Sequence, residues 1–154
     1  SDGNKVRVIC GELGGTRGPV RDIVTDPAYL DVAVVPGGSF VYPTPGGHTV
    51  FAYVIQGKGS FCCQDDPYAY EAEGANYFDM NREPLIGNGN LVLFGDGDAV
   101  TAEAGDEGVR FLLISGKPIG EPVAWYGPIV MNTQQELRTA FEELQRGTFI
   151  KSHK

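Results

Sequence analysis

Histidine and cysteine are scarce in this chain, which limits the chemistry that it can perform. The histidines are His48 and His153, and the cysteines are Cys10, Cys62 and Cys63. Transition-metal sites need several imidazole, thiolate or carboxylate ligands close together, and no Cys-x-x-Cys spacing occurs. Neighbouring residues on a strand point to opposite faces, so Cys62 and Cys63 do not pair easily. We predict reduced thiols, with no disulfide framework and no zinc site; a Cys62–Cys63 redox pair is the alternative.

Carboxylates concentrate in residues 64–90, which lack strand periodicity and contain only Arg82 as a basic residue. Oxygen donors of this kind suit a hard cation such as calcium, but the twelve-residue calcium-loop pattern is missing. Nucleophile-elbow and phosphate-loop motifs are missing as well. We interpret the segment as a solvated acidic insertion and keep a calcium site as the alternative. Its acids are Asp65, Asp66, Glu71, Glu73, Asp79 and Glu83.

The elements that would position any site are mostly strands. Glycine occurs 22 times, and Gly/Pro turns such as PGG at Pro36 and PTPGG at Pro43 separate short apolar or alternating runs. Many short strands joined by such turns are typical of a sandwich or barrel. The runs are KVRVICG from Lys5, YLDVAVV from Tyr29, TVFAYVIQG from Thr49, NLVLF from Asn90 and VRFLLISG from Val109.

One helix is predicted after Met131. Thr133 and Glu136 have the spacing of a capping box, and Gly147 can end the helix in a left-handed conformation. An apolar stripe at three- and four-residue spacing must pack on something. It consists of Leu137, Ala140, Phe141 and Leu144.

Charge and length exclude several classes of partner. The chain has 154 residues and a net charge of −8, so direct binding to a nucleic-acid backbone or to an anionic membrane is disfavoured by repulsion. No apolar run approaches the ~18 residues of a membrane helix, and no signal peptide opens the chain. We expect a single-domain cytoplasmic protein, with the nucleus as an alternative location in a eukaryote.

Six segments together resemble the C-terminal half of the pirin family, whose members are two-domain cupins. They are VRVICGE, TRGPV, YLDVAVVPGGSF, TVFAYVIQGKG, VRFLLISGKPIGEPVAWYGPIVMNTQQEL and LQRGTF, and they cover nearly all of the chain except the acidic insertion. The most specific part is the run that follows Gly-Glu-Pro. Its signature residues are Gly127, Pro128, Val130, Met131, Asn132, Thr133 and Glu136.

The resemblance implies an all-β fold, a cupin-type double-stranded β-helix or jelly-roll barrel, with one C-terminal α-helix. We expect the barrel in residues 1–128, the acidic insertion at about 64–90, and a strand, helix and tail in residues 129–154 that pack on the barrel. In the family the helix also meets the companion domain. An apolar patch is therefore expected here.

The resemblance also implies where a metal would be bound. Cupin enzymes hold a divalent transition metal through His-x-His, a following Glu and a later His, and in pirins this set, for iron or another such metal, lies in the N-terminal domain. Placing Gly57 on the glycine that ends the motif puts the Glu at Val50 and the histidines near Thr44 and Gly46. The later His falls in an expected turn at residues 105–108. We predict no catalytic, cofactor-binding or metal-binding residue in this domain.

His48 has the strand parity of those ligand positions. We interpret it as a hydrogen-bonded turn residue, with lining of a pocket together with Val50 and Ala52 as the alternative.

The predicted function is a non-catalytic domain that packs beside a metal-binding N-terminal cupin. The parent would be a quercetin dioxygenase-like protein or a transcription cofactor. Alternatives are an independent metal-dependent enzyme and a module that binds small molecules or proteins. Expected partners are the N-terminal cupin or a second copy bound through the helix face. SDGNKVRV enters the first strand directly, as expected for a piece of a longer protein.

Overall fold

A computed structural model describes residues 3–62 and 85–151. The chain forms two compact units, Ser1–Pro118 and Ile119–Lys154. The division predicted at residue 128 stays a prediction, and so does the packing of residues 129–154 on the barrel.

Within its described part, the first unit is built from β-strands joined by turns and loops. Their bounds are β1 Lys5–Cys10, β2 Glu12–Leu13, β3 Thr16–Arg17, β4 Ala28–Val34, β5 Ser39–Pro43, β6 Thr49–Phe61, β7 Ile86–Gly87, β8 Leu91–Leu93 and β9 Ala99–Gly116. The five predicted strand runs are confirmed, although β6 and β9 extend beyond them. The sequence reasoning missed β5, a five-residue strand between two Gly/Pro turns.

Strand β9 organises the sheet, whose order is β1-β4-β9-β6-β7, with β5 also paired to β9 and β8 to β6. All of these pairs are antiparallel. The first residues of β9 pair with β5, and Val109 to Ser115 pair with β4. Strand β6 pairs with the other edge of β9 between Ala102 and Gly116. The register of this pairing shifts between Val54 and Gln56 and again between Gly57 and Gly59.

Alternating side chains build the core of this unit. Every second residue of β4 is buried, as expected for a strand with one face on an apolar core. Leu30, Phe111 and Leu113 have no exposed surface. The Phe111 ring meets the rings of Phe61 and Phe40 edge-on, at centroid distances of 5.1 and 6.0 Å, an arrangement that aromatic pairs favour.

An ion pair ties β4 to β9 diagonally across the Val32–Phe111 register pair. The Arg110 guanidinium donates to both oxygens of Asp31, from Nε at 2.8 Å and from Nη2 at 2.7 Å. These hydrogen bonds hold the pKa of Asp31 below its ordinary value; burial opposes the shift, and the charges of Arg110 and Arg7 reinforce it. The pair therefore stabilises the fold at neutral pH, and its contribution is lost as the pH falls through the lowered pKa of Asp31.

The second unit is a β-hairpin followed by a helix. Strands β10 Ala124–Tyr126 and β11 Ile129–Met131 pair across Gly127 and Pro128, and helix α1 covers Gln134–Gln145. Gly127 has φ +56°, the left-handed region that favours glycine. The unit buries a small core of its own between hairpin and helix. Its members are Ala124, Ile129, Leu137 and Ala140, with Met131 and Phe141 partly buried against them.

Across residues 3–62 and 85–151, the strand-dominated architecture with one C-terminal helix is thus confirmed. Of the predicted helix stripe, Leu137 and Ala140 are buried and Phe141 is partly buried, while Leu144 is exposed. No helix in the described ranges combines the length and hydropathy needed to cross a bilayer.

Two glycines make a close backbone approach between β6 and β9. Gly57 has φ +70°, and a Cβ atom on it would lie 2.1 Å from the carbonyl oxygen of Gly108. Gly47 has a similar φ of +77° but no atom within 4 Å of such a Cβ. Alanine at either position is strained by backbone conformation, but only at Gly57 does it also collide with backbone.

We expect Gly57→Ala to lower the free energy of unfolding by more than about 3 kcal/mol, because it adds a backbone clash to the left-handed strain. The matched control Gly47→Ala should cost only about 1–2 kcal/mol, the strain alone. Urea unfolding followed by circular dichroism measures both. Equal losses in the two variants would contradict the role given to the Gly57–Gly108 approach.

Candidate functional site

The positions expected for metal ligands do not carry ligand side chains. Thr44 and Val50 are buried, and Gly46 lies in an open turn. The structure corrects the placement of residues 105–108, which lie inside the continuous strand β9 and not in a turn. Gly105 and Gly108 let the strand stay continuous there, since they fit against the Lys58 and Val34 carbonyls. A divalent transition metal does not fit this donor set.

His48 lies between β5 and β6, in the turn that leads into β6. Its backbone amide donates to the carbonyl of Pro45 at 3.3 Å. Its side-chain Nδ1 is buried and has no hydrogen-bond partner among the described residues. Buried polar atoms are normally paired, so this nitrogen requires an explanation.

Nδ1 belongs to a residue that lines a cavity of about 500 Å³ in the first unit. The cavity lies where β1, β5 and β9 end and β4 and β6 begin. The loop of residues 18–27 also contributes. The lining residues are Cys10, Gly11, Glu12, Arg17, Gly18, Val20, Arg21, Asp22, Ile23, Asp26, Pro27, Ala28, Tyr42, Pro43, Pro45, His48 and Ser115.

Burial divides the lining into two parts. We call its buried members, Cys10, Gly18, Ala28, Tyr42 and Ser115, the cavity floor. The exposed charged members form the cavity rim; they are Glu12, Arg17, Arg21, Asp22 and Asp26. The floor therefore offers uncharged hydrogen-bonding groups, and the rim mixes both signs of charge.

Hydrogen bonds hold two floor side chains in place. The Tyr42 hydroxyl donates to the Glu12 carbonyl at 3.4 Å, and the Cys10 thiol donates to the Val20 carbonyl at 3.3 Å. Burial raises the pKa of Tyr42, and the nearby Asp26 charge and Cys10 reinforce this shift. The phenol consequently remains protonated, able to donate, through the physiological pH range.

Two of the rim side chains form an ion pair, and two other rim residues have a left-handed backbone conformation. Arg17 and Glu12 form an exposed ion pair at 3.2 Å across the β2–β3 hairpin, and Arg21 Nε donates to the Gly18 carbonyl at 3.3 Å. Asp22 and Asp26 have φ values of +59° and +43°, a region that Asp adopts more readily than most residues. The loop conformation thus brings its two carboxylates to the cavity.

Three residues were predicted together as an alternative pocket lining, and the structure separates them. His48 lines the cavity, whereas Val50 and Ala52 lie in the hydrophobic core. Sequence reasoning missed the floor residues Cys10, Tyr42 and Ser115. No sequence spacing signals them, because they come from β1, β5 and β9 and meet only through strand pairing.

Some of the other predicted candidates lie outside the described residues. This holds for Cys63, His153 and the acids between residues 65 and 83. Cys62 is not on a strand, since β6 ends at Phe61 and Cys62 follows it with φ +47°. Within residues 3–62 and 85–151, no group of three or more His, Cys, Asp or Glu side chains could hold a metal ion.

The signature residues build the hairpin and the start of α1. Thr133 Oγ1 accepts from the Glu136 amide at 3.2 Å, and the Thr133 amide donates to the Glu136 carboxylate at 2.8 Å, which confirms the capping box. At the other end Gly147 has φ +70°, and the amides of Gly147 and Thr148 donate to Leu144 and Glu143 carbonyls in the Schellman pattern. Asn132 Nδ2 donates to Glu121 at 2.5 Å, so it ties the chain before the hairpin to the helix start.

Residues 29–150 match the family profile described as the pirin C-terminal cupin domain. The chain belongs to the pirin family. Pirin-1 of Arabidopsis thaliana is 36% identical over 146 residues, which cover 94% of this chain and 45% of that protein. Pirin of Homo sapiens is 36% identical over 140 residues, which cover 90% of this chain and 42% of that protein.

A solved structure agrees with this membership. The crystal structure of a quercetin 2,3-dioxygenase from Acinetobacter baumannii matches with a TM-score of 0.71 and 26% identity, over 96% of this chain and 44% of that one. The expected cupin fold is therefore confirmed. The pirin chain described here spans less than half of the length of each of these relatives.

The signature residues Thr133 and Glu136 form the helix cap, and a substitution tests how much this cap stabilises the helix. We expect Thr133→Ala to destabilise the hairpin–helix unit by about 1 kcal/mol, because it removes the acceptor for the Glu136 amide. Thr139→Ala is the matched control; the Thr139 hydroxyl lies mid-helix and donates back to the Gln135 carbonyl, so its loss should cost little. Amide hydrogen exchange of α1 measures both variants. Equal exchange rates would contradict a stabilising cap.

Proposed function

We propose that this chain is the C-terminal cupin domain of a longer pirin-like protein and that it has no catalytic metal of its own. Its role is structural: it packs beside a metal-binding N-terminal cupin and completes the protein. The observation that carries this proposal is that the chain matches the C-terminal domain profile and covers less than half of each relative compared above.

The nature of the expected ligand positions supports the non-catalytic role. Threonine, glycine and valine occupy the positions where a cupin enzyme has His, His and Glu. Iron or another divalent transition metal would need imidazole or carboxylate ligands there. Any oxidation of quercetin-like flavonols would then belong to the longer protein, by analogy with the longer Acinetobacter relative, which is named a quercetin 2,3-dioxygenase.

Exposed apolar side chains of the second unit support a docking role. The outer face of the β10–β11 hairpin, defined here as Val123, Trp125 and Val130, has exposed fractions of 75%, 71% and 59%. Trp125 and Val130 are opposite each other in the strand register. A large aromatic beside aliphatic residues is typical of interface hot spots. We propose that the N-terminal cupin covers this face.

Metal content tests the non-catalytic role. The chain purified without added metal should contain far less than one transition-metal ion per molecule, and a chelator should shift its melting temperature by less than about 1 °C, since no ligand stabilises the folded state. The longer Acinetobacter quercetin 2,3-dioxygenase, measured in parallel, is the positive control for metal detection. Near-stoichiometric metal in this chain, with a melt lowered by chelator, would overturn the proposal.

Docking is tested by adding the N-terminal half of human pirin to this chain and measuring complex formation by calorimetry. Trp125→Ser should weaken the complex by at least about tenfold, since a buried Trp anchor contributes more than ~1.4 kcal/mol. Val130→Ser should weaken it less. Val41→Ser is the matched control, because Val41 on β5 is equally exposed at 58% and should leave binding unchanged.

Two outcomes would contradict the docking proposal. One is equal weakening by Val130→Ser and Val41→Ser. The other is self-association of the chain that Trp125→Ser abolishes while the N-terminal half fails to bind, which would assign the hairpin outer face to a second copy.

A further inference from the structure

We propose that the free edge of strand β8 binds a second copy of this chain, by antiparallel pairing of β8 with the same strand of that copy about a two-fold axis at Val92. The proposal concerns the first unit and does not depend on the docking role given to the hairpin outer face. Three features of β8 carry it: unpaired backbone groups, exposed leucine side chains, and an uncharged sequence that is the same in both directions.

Strand β8 has one paired edge and one free edge. Its residues Leu91–Leu93 pair with β6, and the Phe94 amide donates to the Val50 carbonyl at 3.0 Å. Because backbone groups alternate in direction along a strand, the N–H and C=O groups of Leu91 and Leu93 point away from β6. No other strand in residues 3–62 and 85–151 pairs with β8. Such an edge is a template for a further strand.

The side chains at this edge are apolar and exposed. Leu91 and Leu93 have exposed fractions of 62% and 69%, whereas Val92 packs partly against the core. The same outward face continues onto β6, where Tyr53, the register partner of Leu91, is 40% exposed. The solvent-facing side of an antiparallel sheet is usually polar. An exposed apolar margin of this kind is typical of a surface that another protein covers.

The two outermost strands of the sheet differ in charge. Strand β1 at the opposite edge has exposed Lys5 and Arg7 side chains, and charged side chains on an edge strand discourage pairing with another chain. Residues 85–95, by contrast, contain no charged side chain, although the whole chain has a net charge of −8. The β8 edge can therefore pair without bringing charged side chains together.

The sequence of β8 favours a second copy as the partner. Leu-Val-Leu is the same in both directions, so a two-fold axis at Val92 places Leu91 opposite the second copy's Leu93. The outward N–H and C=O groups of both residues then pair reciprocally, and the opposed leucine side chains meet on one face. In the continued register Asp96, the nearest charged residue in sequence, falls opposite the second copy's Asn88. Like charges do not meet across the axis.

The size of the contact sets its strength. A three-residue edge buries roughly 300 Å² per chain, well below the ~800 Å² per partner of a stable complex. We therefore expect a weak dimer, with a dissociation constant of about 0.1–1 mM. Repulsion between two chains of charge −8 weakens the dimer further when little salt is present.

The test is amide hydrogen exchange of the whole chain, followed by NMR at about 0.02 and 1 mM protein, with sedimentation equilibrium to measure association. At the higher concentration the Leu91 and Leu93 amides should exchange at least about twofold more slowly. The Val92 amide already faces β6, so its exchange should not change. Raising the salt concentration from about 0.05 to 0.5 M should strengthen association several-fold, because it screens the net negative charge.

Substitutions assign the association to the β8 edge. Leu91→Lys should weaken it at least about tenfold, because an ammonium group cannot pack against the second copy's leucine and remain in water. Val24→Lys is the matched control: Val24 is 95% exposed in a loop, and this variant changes the net charge equally. It should associate at least as strongly as the unchanged chain. Unchanged melting curves verify that both variants are folded.

Four outcomes would overturn the proposal. The first is a chain that stays monomeric up to about 1 mM at both salt concentrations. The second is slow exchange of the Leu91 and Leu93 amides already at the lowest protein concentration, which would show that the chain itself covers this edge. The third is association that persists in folded Leu91→Lys and is lost in Trp125→Ser, which would assign the second copy to the hairpin outer face. The fourth is protection of these amides only after the N-terminal half of human pirin is added.

Discussion

The close contact between Gly57 and Gly108 is the constraint on which the first unit depends. It lets β6 and β9 stay paired while β9 changes its other neighbour from β5 to β4. No Cβ atom fits between these backbones. From this point strand β9 continues through Phe111 in the core to Ser115 beside the cavity. The core and the cavity therefore share one strand.

The strands of the first unit pass through two environments, an apolar middle and a more polar end. The middle is filled by Leu30, Phe111 and Leu113, which have no exposed surface. At one end the strands give way to loops, and polar groups replace apolar ones. A cupin enzyme would bind its metal through side chains from this kind of framework; here threonine, glycine and valine stand at the expected ligand positions. The described cavity presents hydrogen-bonding groups and some apolar surface.

Sequence reasoning succeeded where the signal was local. The Thr133 capping box, the Gly147 helix end and the alternating strand β4 depend on neighbours within a few residues, and each was predicted. It failed where pairing over long distances decided the outcome. Strand β5 was missed between its two turns, and residues 105–108 were expected in a turn because the family resemblance implies one between two strands there. There the backbone of β9 packs closely against the Lys58 and Val34 carbonyls, a long-range contact that composition does not reveal.

The sequence by itself determined the family, the all-β class with one capped helix, and the lack of metal ligands at the expected positions, because each depends on residue type and short spacing. Only the tertiary structure decided that His48 lines a cavity while Val50 and Ala52 are core, and that Cys10, Tyr42 and Ser115 meet there. These residues lie up to about a hundred positions apart, and strand register, a property of the whole sheet, brings them together.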